Sequence, residues 1–245
     1  LEAGGTHKHW SVWVPMATII NMVSKKRNWG FETVPQDGLN GRRGYQPRGK
    51  VLGGSSAING MIYIRGVPYD YDLWEKLGNK GWGWEDVLPY FRKAENNVRG
   101  ADAAHGDSGP LQVSDQKAPR PISQAFIDAS NQMQVPTNPD FNTGDNEGVG
   151  LYQVTQFHSG AQVGERCSAA AAYLHPVMDR ANLTVRTGAH ATRLSLEGKR
   201  ATGVHYRHAK RDKHVTATRE VILSAGAVGS PQILMLSGIG PRREL

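Results

Sequence analysis

The sequence predicts an α/β fold, and three observations carry that prediction. Apolar residues recur at helical spacing in several places, as at Met16, Ile19, Ile20 and Val23, or Ile122, Phe126, Ala129 and Met133. The final third changes texture: Leu183 to Thr187, Ala191 to Leu196, Ala201 to Arg207 and Val215 to Thr218 read as short strands joined by turns. Then Val221-Ile222-Leu223, an unbroken apolar run suited to a strand covered on both faces, leads into Ser224-Ala225-Gly226-Ala227. Ser230-Pro231 opens an apolar helix after it, ending at Ser237-Gly238. Strand, small-residue turn and helix together put helix-terminal N–H groups where an anionic ligand can meet them.

The remaining elements follow in order. Leu1-Glu2-Ala3-Gly4-Gly5 reads as the end of a strand followed by a turn. Asn28-Trp29-Gly30 closes the first helix, and Phe31 to Val34 is extended before Pro35. Met61 to Ile64 is β-prone. Asp70 or Asp72 can cap a helix carrying Leu73, Trp74 and Leu77. Lys80 to Trp84 is a turn, after which Glu85 and Asp86 complement the dipole of a helix bearing Val87, Leu88 and Phe91. Asn96 to Pro110 reads as a surface loop and Leu111 to Val113 as a strand. Pro121 suits the first turn of the next helix. A loop over Val135 to Gly150 leads into a strand-like Tyr152 to Phe157, and an alanine-rich helix is expected near Arg166 to Met178.

Composition narrows the function. With 38% hydrophobic and 21% charged residues, the chain has the balance of a soluble globular protein. No apolar run approaches the ~20 residues of a membrane span, which leaves only peripheral membrane association open. The net charge of +7 is gathered in Lys25-Lys26-Arg27, Arg42-Arg43 and the run Arg207 to His214, between periodic segments and without interleaved aromatics. Solvated turns account for those runs, and nucleic acid is not expected as a partner. Cys167 stands alone, so no internal disulfide can form; a small buried hydrophobe in a reducing, cytoplasmic compartment is expected. No G-x-G-x-x-G, P-loop or G-x-S-x-G motif is present. His7 and His9 lack further ligands at metal-site spacing, so no metal is expected.

The most informative stretch is Pro47-Arg48-Gly49-Lys50-Val51-Leu52-Gly53-Gly54-Ser55-Ser56-Ala57-Ile58-Asn59-Gly60-Met61. Paired glycines suit either a tight turn or close backbone approach to a ligand. From Gly49 to Asn59, continuing through Tyr63, Gly66 and Asp72, it resembles the first signature of the glucose–methanol–choline flavoprotein oxidoreductases. Gly226 to Gly240 resembles the second, and Gly164-Glu165-Arg166, Ser168-Ala169-Ala170 and Ala172-Tyr173-Leu174 are similar to the family between them. The resemblance covers essentially the whole chain. Residues of the second signature fit sheet packing as well as cofactor contact, so the cofactor reading rests on the first.

The resemblance implies a Rossmann-like FAD-binding domain interleaved with parts of a substrate-binding domain, incomplete at both ends. Residues 1–245 would form the N-terminal FAD-binding region. The first βα fingerprint and the C-terminal catalytic domain would lie outside it. It implies that Glu2 binds the adenosine ribose, that Val51, Asn59, Gly60, Met61 and Ile62 touch the flavin side, and that Gly53, Gly54 and Ser55 let the backbone pass close to the cofactor. Ala191 matches the position that meets the adenine through its backbone. Where some relatives bond flavin to a histidine, this sequence has Ile58, so the FAD is expected to be non-covalent. The catalytic base, a histidine in the family, is expected beyond Leu245, leaving no catalytic residue here and a fragment inactive alone. The implied reaction is oxidation of a primary alcohol to an aldehyde by hydride transfer to flavin N5, with a quinone or other carrier as electron acceptor. Tyr63-Ile64-Arg65-Gly66 and Asp70 to Trp74 resemble bacterial choline and aliphatic-alcohol dehydrogenases. Asp140-Phe141-Asn142 and Gly148 to Gln153 lean toward the aliphatic or polyether branch, with choline dehydrogenase as the alternative and an inert nucleotide-binding module as the rival of another class. The expected location is cytoplasmic, with peripheral attachment at the inner membrane left open.

Overall fold

The computed structural model describes residues 1–243. In chain order the elements are helix α1 (Trp10–Trp13), a 3-10 turn at Pro15–Ala17, α2 (Thr18–Met22), strands β1 (Phe31–Glu32), β2 (Tyr45–Gln46) and β3 (Ile62–Tyr63), helices α3 (Pro68–Lys76) and α4 (Trp84–Ala94), strands β4 (Glu95–Asn97) and β5 (Leu111–Val113), α5 (Pro121–Gln132), β6 (Gln153–Val154), β7 (Ala189–Glu197), β8 (Arg200–His208), β9 (Arg211–Thr216) and α6 (Gly226–Leu236). They fall into two compact units. One comprises Leu1–His9, Ile19–Ile58 and Val177 onward, the other Trp10–Thr18 and Asn59–Pro176.

The first unit is built on the antiparallel sheet β7–β8–β9. Ala189, Leu194 and Tyr206 are buried, and α6 is tied to the sheet where the Leu194 N–H donates to Ser237 Oγ at 2.8 Å. His208 pairs with Arg211, leaving Ala209 and Lys210 as a two-residue turn at φ 49° and 64°. That turn has the mirror-image hand that matches strand twist, although neither residue is a glycine. The basic run from Arg207 to His214, expected as a solvated turn, is therefore mostly ladder. The N-terminal segment is clasped between two others: Glu2 N–H donates to Arg186 O, Ala189 N–H to Glu2 O, and Leu52 N–H to Gly5 O. Leu183 to Thr187, expected as a strand, is thus an irregular partner of the N-terminal segment instead. Val221 to Leu223 also fails to form the expected strand. It has no ladder partner among the described residues, and Ile222 is 78% exposed. Helix α6 starts at Gly226, before the expected Ser-Pro, so Pro231 falls inside it.

The second unit has a small apolar core of Phe157, Cys167 and Ala172, backed by Leu111 and Ala171. Burial pushes the Cys167 thiol pKa up, so this cysteine is a packed hydrophobe rather than a nucleophile. β3 pairs antiparallel with β6, and β4 parallel with β5. Helix α3 begins at Pro68 with Asp70 in its first turn, accepting the Val67 N–H at 2.9 Å. Asp72 caps the next helix instead, accepting the Trp84 N–H at 2.9 Å. Tyr71 locks the two helices through ring contacts with Trp74, Trp84 and Phe91.

Periodicity misplaces some faces. Met16, Ile19, Ile20 and Val23 are exposed, and their expected single helix is broken into two short ones and a 3-10 turn. In α5, Ile122 and Phe126 are exposed while Ile127 is buried, and Met133, just past its end, is exposed as well. The expected Asn96–Pro110 loop begins inside β4, and the alanine-rich helix is a wide π-type turn at Ala170–Leu174 followed by a 3-10 turn.

A buried charged cluster organises the second unit. Glu95 Oε1 accepts from Arg65 Nη2 (2.6 Å), His105 Nδ1 (2.8 Å) and Gly106 N–H (3.1 Å). His105 Nε2 lies 3.1 Å from Asp140 Oδ2, outside hydrogen-bond alignment. Burial raises the Glu95 pKa, but the His105 hydrogen bond and the Arg65 charge outweigh it and hold the carboxyl below its ordinary range. The Glu95 hydrogen bond, opposed by burial, lifts His105 above its own.

Candidate functional site

The glycine-rich stretch is a turn with a buried back and an open front. Val51, Leu52, Ala57 and Ile58 are buried, and Val51 forms a parallel bridge with Gly5. Gly53 and Gly54 take φ of 92° and 55°, conformations an L side chain resists, before a 3-10 turn at Gly54–Ala57. Gly49 folds so closely on Gly54 that a Cβ there would come within 2.1 Å of the Gly54 carbonyl oxygen. Ser55 Oγ closes the loop by accepting the Gly49 N–H at 3.1 Å.

This loop faces a cavity of about 840 Å³ within the first unit. That volume lies in the range of about 300–1,000 Å³ typical of small-molecule and cofactor sites. Its walls are the N-terminal strand end at Leu1–Ala3, the glycine loop, the start of β7 and the segment from Val221 through the first turn of α6. Glu2 Oε1 accepts the Gly4 N–H at 2.6 Å. Burial raises the Glu2 pKa, against the lowering effect of that hydrogen bond and of the Lys50 charge. An aromatic wall completes the cavity: Trp29 lies parallel to Phe31 and 5.2 Å from His190, with Lys50 Nζ 4.5 Å above the Trp29 ring. Burial, followed by the Lys50 and Arg207 charges, lowers the His190 pKa and favours neutral imidazole.

Of the residues singled out in the sequence, Glu2, Gly53, Gly54, Ser55 and Ala191 line this cavity. Val51 packs behind the loop rather than in the wall. Asn59, Gly60, Met61 and Ile62 belong to the second unit and do not line it. There, Asn59 Oδ1 accepts the Met61 N–H at 3.0 Å, and Met61 rather than Gly60 takes the left-handed conformation, at φ 63°. The Met61 carbonyl accepts the Thr155 N–H at 2.8 Å, and Ile62 in β3 is exposed. Trp29, Phe31, Lys50 and His190 were not singled out. No local motif marks them, since Lys50 alone lies in the glycine stretch and the rest meet it only through the fold. Among the described residues no cluster of His, Cys, Asp and Glu could hold a metal, and no helix is long and apolar enough to cross a membrane.

A family model described as GMC oxidoreductase matches residues 2–245. The chain belongs to the GMC oxidoreductase family. This GMC chain is 46% identical over 248 residues to the alcohol dehydrogenase (acceptor) of Pseudomonas putida, covering 100% of its own length and 44% of that protein's. It is 42% identical over 243 residues to the mitochondrial choline dehydrogenase of Homo sapiens, covering 99% and 40%. The chain therefore spans less than half the length of these relatives. Among solved structures it matches pyridoxine 4-oxidase from Mesorbium loti with a TM-score of 0.91 and 34% identity, over 99% of this chain and 47% of that one. An FAD-dependent oxidoreductase from Chaetomium thermophilum matches with a TM-score of 0.88 and 32% identity, over 99% and 43%. The α/β, Rossmann-like class expected from the sequence is the fold of this GMC chain.

Proposed function

We propose that this chain is the FAD-binding part of an enzyme that oxidises a primary alcohol to an aldehyde, with an aliphatic or polyether alcohol as substrate. One observation carries the reading: a half-buried carboxylate, a glycine loop and a helix start converge on one cavity of cofactor size in the first unit. The residues present fit the group. Glu2 commits Oε1 to Gly4, and its carboxylate has further acceptor capacity for ribose hydroxyls. A Cβ on Gly54 would meet no protein atom within 4 Å, so the front of the loop is open to a ligand. The first turn of α6 turns its N–H groups and positive dipole end to the same cavity, which suits a diphosphate. Bound there, FAD supplies the two-electron acceptor for the hydride that leaves the alcohol carbon. Ile58 offers no nucleophile, so the cofactor is held without a bond to that position.

Choline is the second substrate reading, favoured by the 42–44% identity to proteins named choline dehydrogenases. The alcohol substrate is paired with an electron carrier such as a quinone. Cys167, alone and buried, suits a cytoplasmic location, with peripheral contact at the inner membrane. Purified full-length protein is expected to show flavin absorption in the blue, to release the flavin on acid precipitation, and to turn over primary alkanols faster than choline. Absence of flavin would leave only the inert nucleotide-binding reading or none. Faster choline oxidation would select the second substrate.

A further inference from the structure

The chain carries the dipeptide Asn-Gly twice, at Asn40-Gly41 and Asn59-Gly60, and holds the two differently. All four residues are exposed. A glycine after asparagine leaves the peptide nitrogen unshielded by a side chain, so that nitrogen can reach the asparagine amide carbon. Attack there closes a ring and expels ammonia. The rate depends on how the amide and the attacking nitrogen are held.

Asn59 is held by groups of the second unit alone. Its Oδ1 accepts the Met61 N–H at 3.0 Å and Arg166 Nη1 at 2.8 Å. The first of these bonds is an Asx turn, which folds the side chain over the Gly60 peptide. Together the two donors make a small oxyanion hole: they polarise the amide carbon and stabilise the charge that gathers on Oδ1 under attack. Both groups only donate, so the amide oxygen points to them and its NH2 points away. No described residue accepts from Asn59 Nδ2, which leaves the departing nitrogen open to water. Arg166 is 2% exposed, and burial lowers its pKa to about 10, so the guanidinium keeps its charge into mildly alkaline solution.

The attacking nitrogen is prepared as well. No described residue accepts the Gly60 N–H, and a Cβ on Gly60 would meet nothing within 4 Å. The oxygen of the same peptide unit, the Asn59 carbonyl, lies 3.1 Å from Thr18 Oγ1. That hydroxyl has one proton for this oxygen and for the Pro15 carbonyl at 2.9 Å, and it accepts from Arg166 Nη2 at 2.6 Å. A donor on the Asn59 carbonyl stabilises the anion left when the Gly60 nitrogen gives up its proton. Asn40 has none of these features. No described group donates to its side-chain oxygen, and the Gly41 N–H is committed to the Gln36 carbonyl at 3.0 Å.

We propose that Asn59-Gly60 is a self-modification site, where the Gly60 nitrogen displaces ammonia from the Asn59 side chain while Arg166 and Met61 hold its oxygen. The Gly60 N–H proton passes to solvent and the N–Cγ bond forms. The Cγ–Nδ2 bond breaks, and the nitrogen takes a proton from water and leaves as ammonia. Water then opens the cyclic imide at one of its two carbonyls, giving an aspartyl or an isoaspartyl residue at position 59. The aspartyl product sets a carboxylate against Arg166. The isoaspartyl product lengthens the backbone just ahead of Met61, which sits at φ 63°. No cofactor takes part in the step.

For the test, full-length protein is incubated at mildly alkaline pH and digested. Both Asn-Gly peptides are followed by mass spectrometry and by an isoaspartyl-specific methyltransferase. Asn59 is expected to convert about tenfold faster than Asn40 in the same sample, and about tenfold faster than a free peptide spanning Ser55 to Arg65. That is a modest share of the roughly 10²–10³ in rate that one pre-organised oxyanion donor supplies in an enzyme. Gly60→Ala, which has open space for its methyl, is expected to fold normally and to slow conversion at position 59 at least about tenfold, leaving Asn40 unchanged. Arg166→Gln is expected to slow Asn59 about tenfold and Thr18→Val severalfold. Asn59 converting no faster than Asn40 or the free peptide would overturn the proposal, and so would unchanged conversion in Gly60→Ala. Both comparisons decide even if Arg166→Gln fails to fold.

Discussion

The two units solve the same problem, holding chain segments in fixed positions, by opposite means. The first unit works with backbone: Gly49 lets the loop close on the Gly54 carbonyl, and Gly53 and Gly54 take the left-handed turn beside the cavity. The second works with buried charge, in the Arg65–Glu95–His105 cluster and in Arg166, whose guanidinium donates to the Val12 carbonyl, Asn59 Oδ1 and Thr18 Oγ1. Gly49 tolerates no added atom and Gly53 and Gly54 hold a left-handed turn, and none of the three titrates. The charged cluster instead depends on its partners: removing or neutralising one leaves the others buried without their counter-charge.

The largest expected effect tests the first device. Gly49→Ala would place a methyl 2.1 Å from the Gly54 oxygen, in backbone that has nowhere to go. The full-length variant is expected to yield no soluble flavin-loaded protein, read from expression and blue absorption. Glu95→Gln comes next, because it strands Arg65 and His105 in the interior. Breaking such a buried pair costs about 3–5 kcal/mol, to be measured by chemical denaturation. If it costs no more than a surface change, the contrast between the units collapses.

A smaller effect is expected from pH. His105 is raised in the folded state, so its contribution is complete below the unfolded value of about 6.5 and is lost as pH rises through the folded value. Glu95 is lowered, so its contribution is present above about 4.3 and is lost as pH falls through the folded value. Stability from this cluster therefore peaks between those two pH values, and the alkaline decline is expected to disappear in His105→Gln denaturation curves. The smallest effect belongs to Asp212→Asn. It breaks the exposed Arg207–Asp212 contact at 2.9 Å, and no change in denaturation midpoint is expected at any pH.

This contrast also decides what could be read from sequence. The glycine loop was legible because its residues are contiguous and each glycine marks a backbone requirement. Glu2 and Ala191 were reached through family resemblance, and the fold brings both to the cavity wall. The charged devices were not legible. Arg65 and Glu95 are 30 residues apart, and Arg166 reaches Asn59 across 107 and Val12 across 154. The sequence located the helices at Pro68 and Pro121 but named exposed residues in both, Leu73, Trp74 and Leu77 in the first and Ile122 and Phe126 in the second, where Tyr71 and Ile127 are the buried ones, since spacing shows that a face exists and not whether anything covers it. Val221 to Leu223 has a strand's composition without a neighbour to pair with among the described residues.

Asn59-Gly60 would be taken from sequence as the place where a glycine absorbs a left-handed bend, yet Met61 absorbs it. Gly60 has no positive φ, and a Cβ on it would meet no atom within 4 Å. Folding thus places no demand on this glycine. A methyl there is free in the empty protein, and any penalty it carries must come from outside the chain. Gly60 is in that sense spare: its missing side chain answers no requirement of the packing or of the backbone.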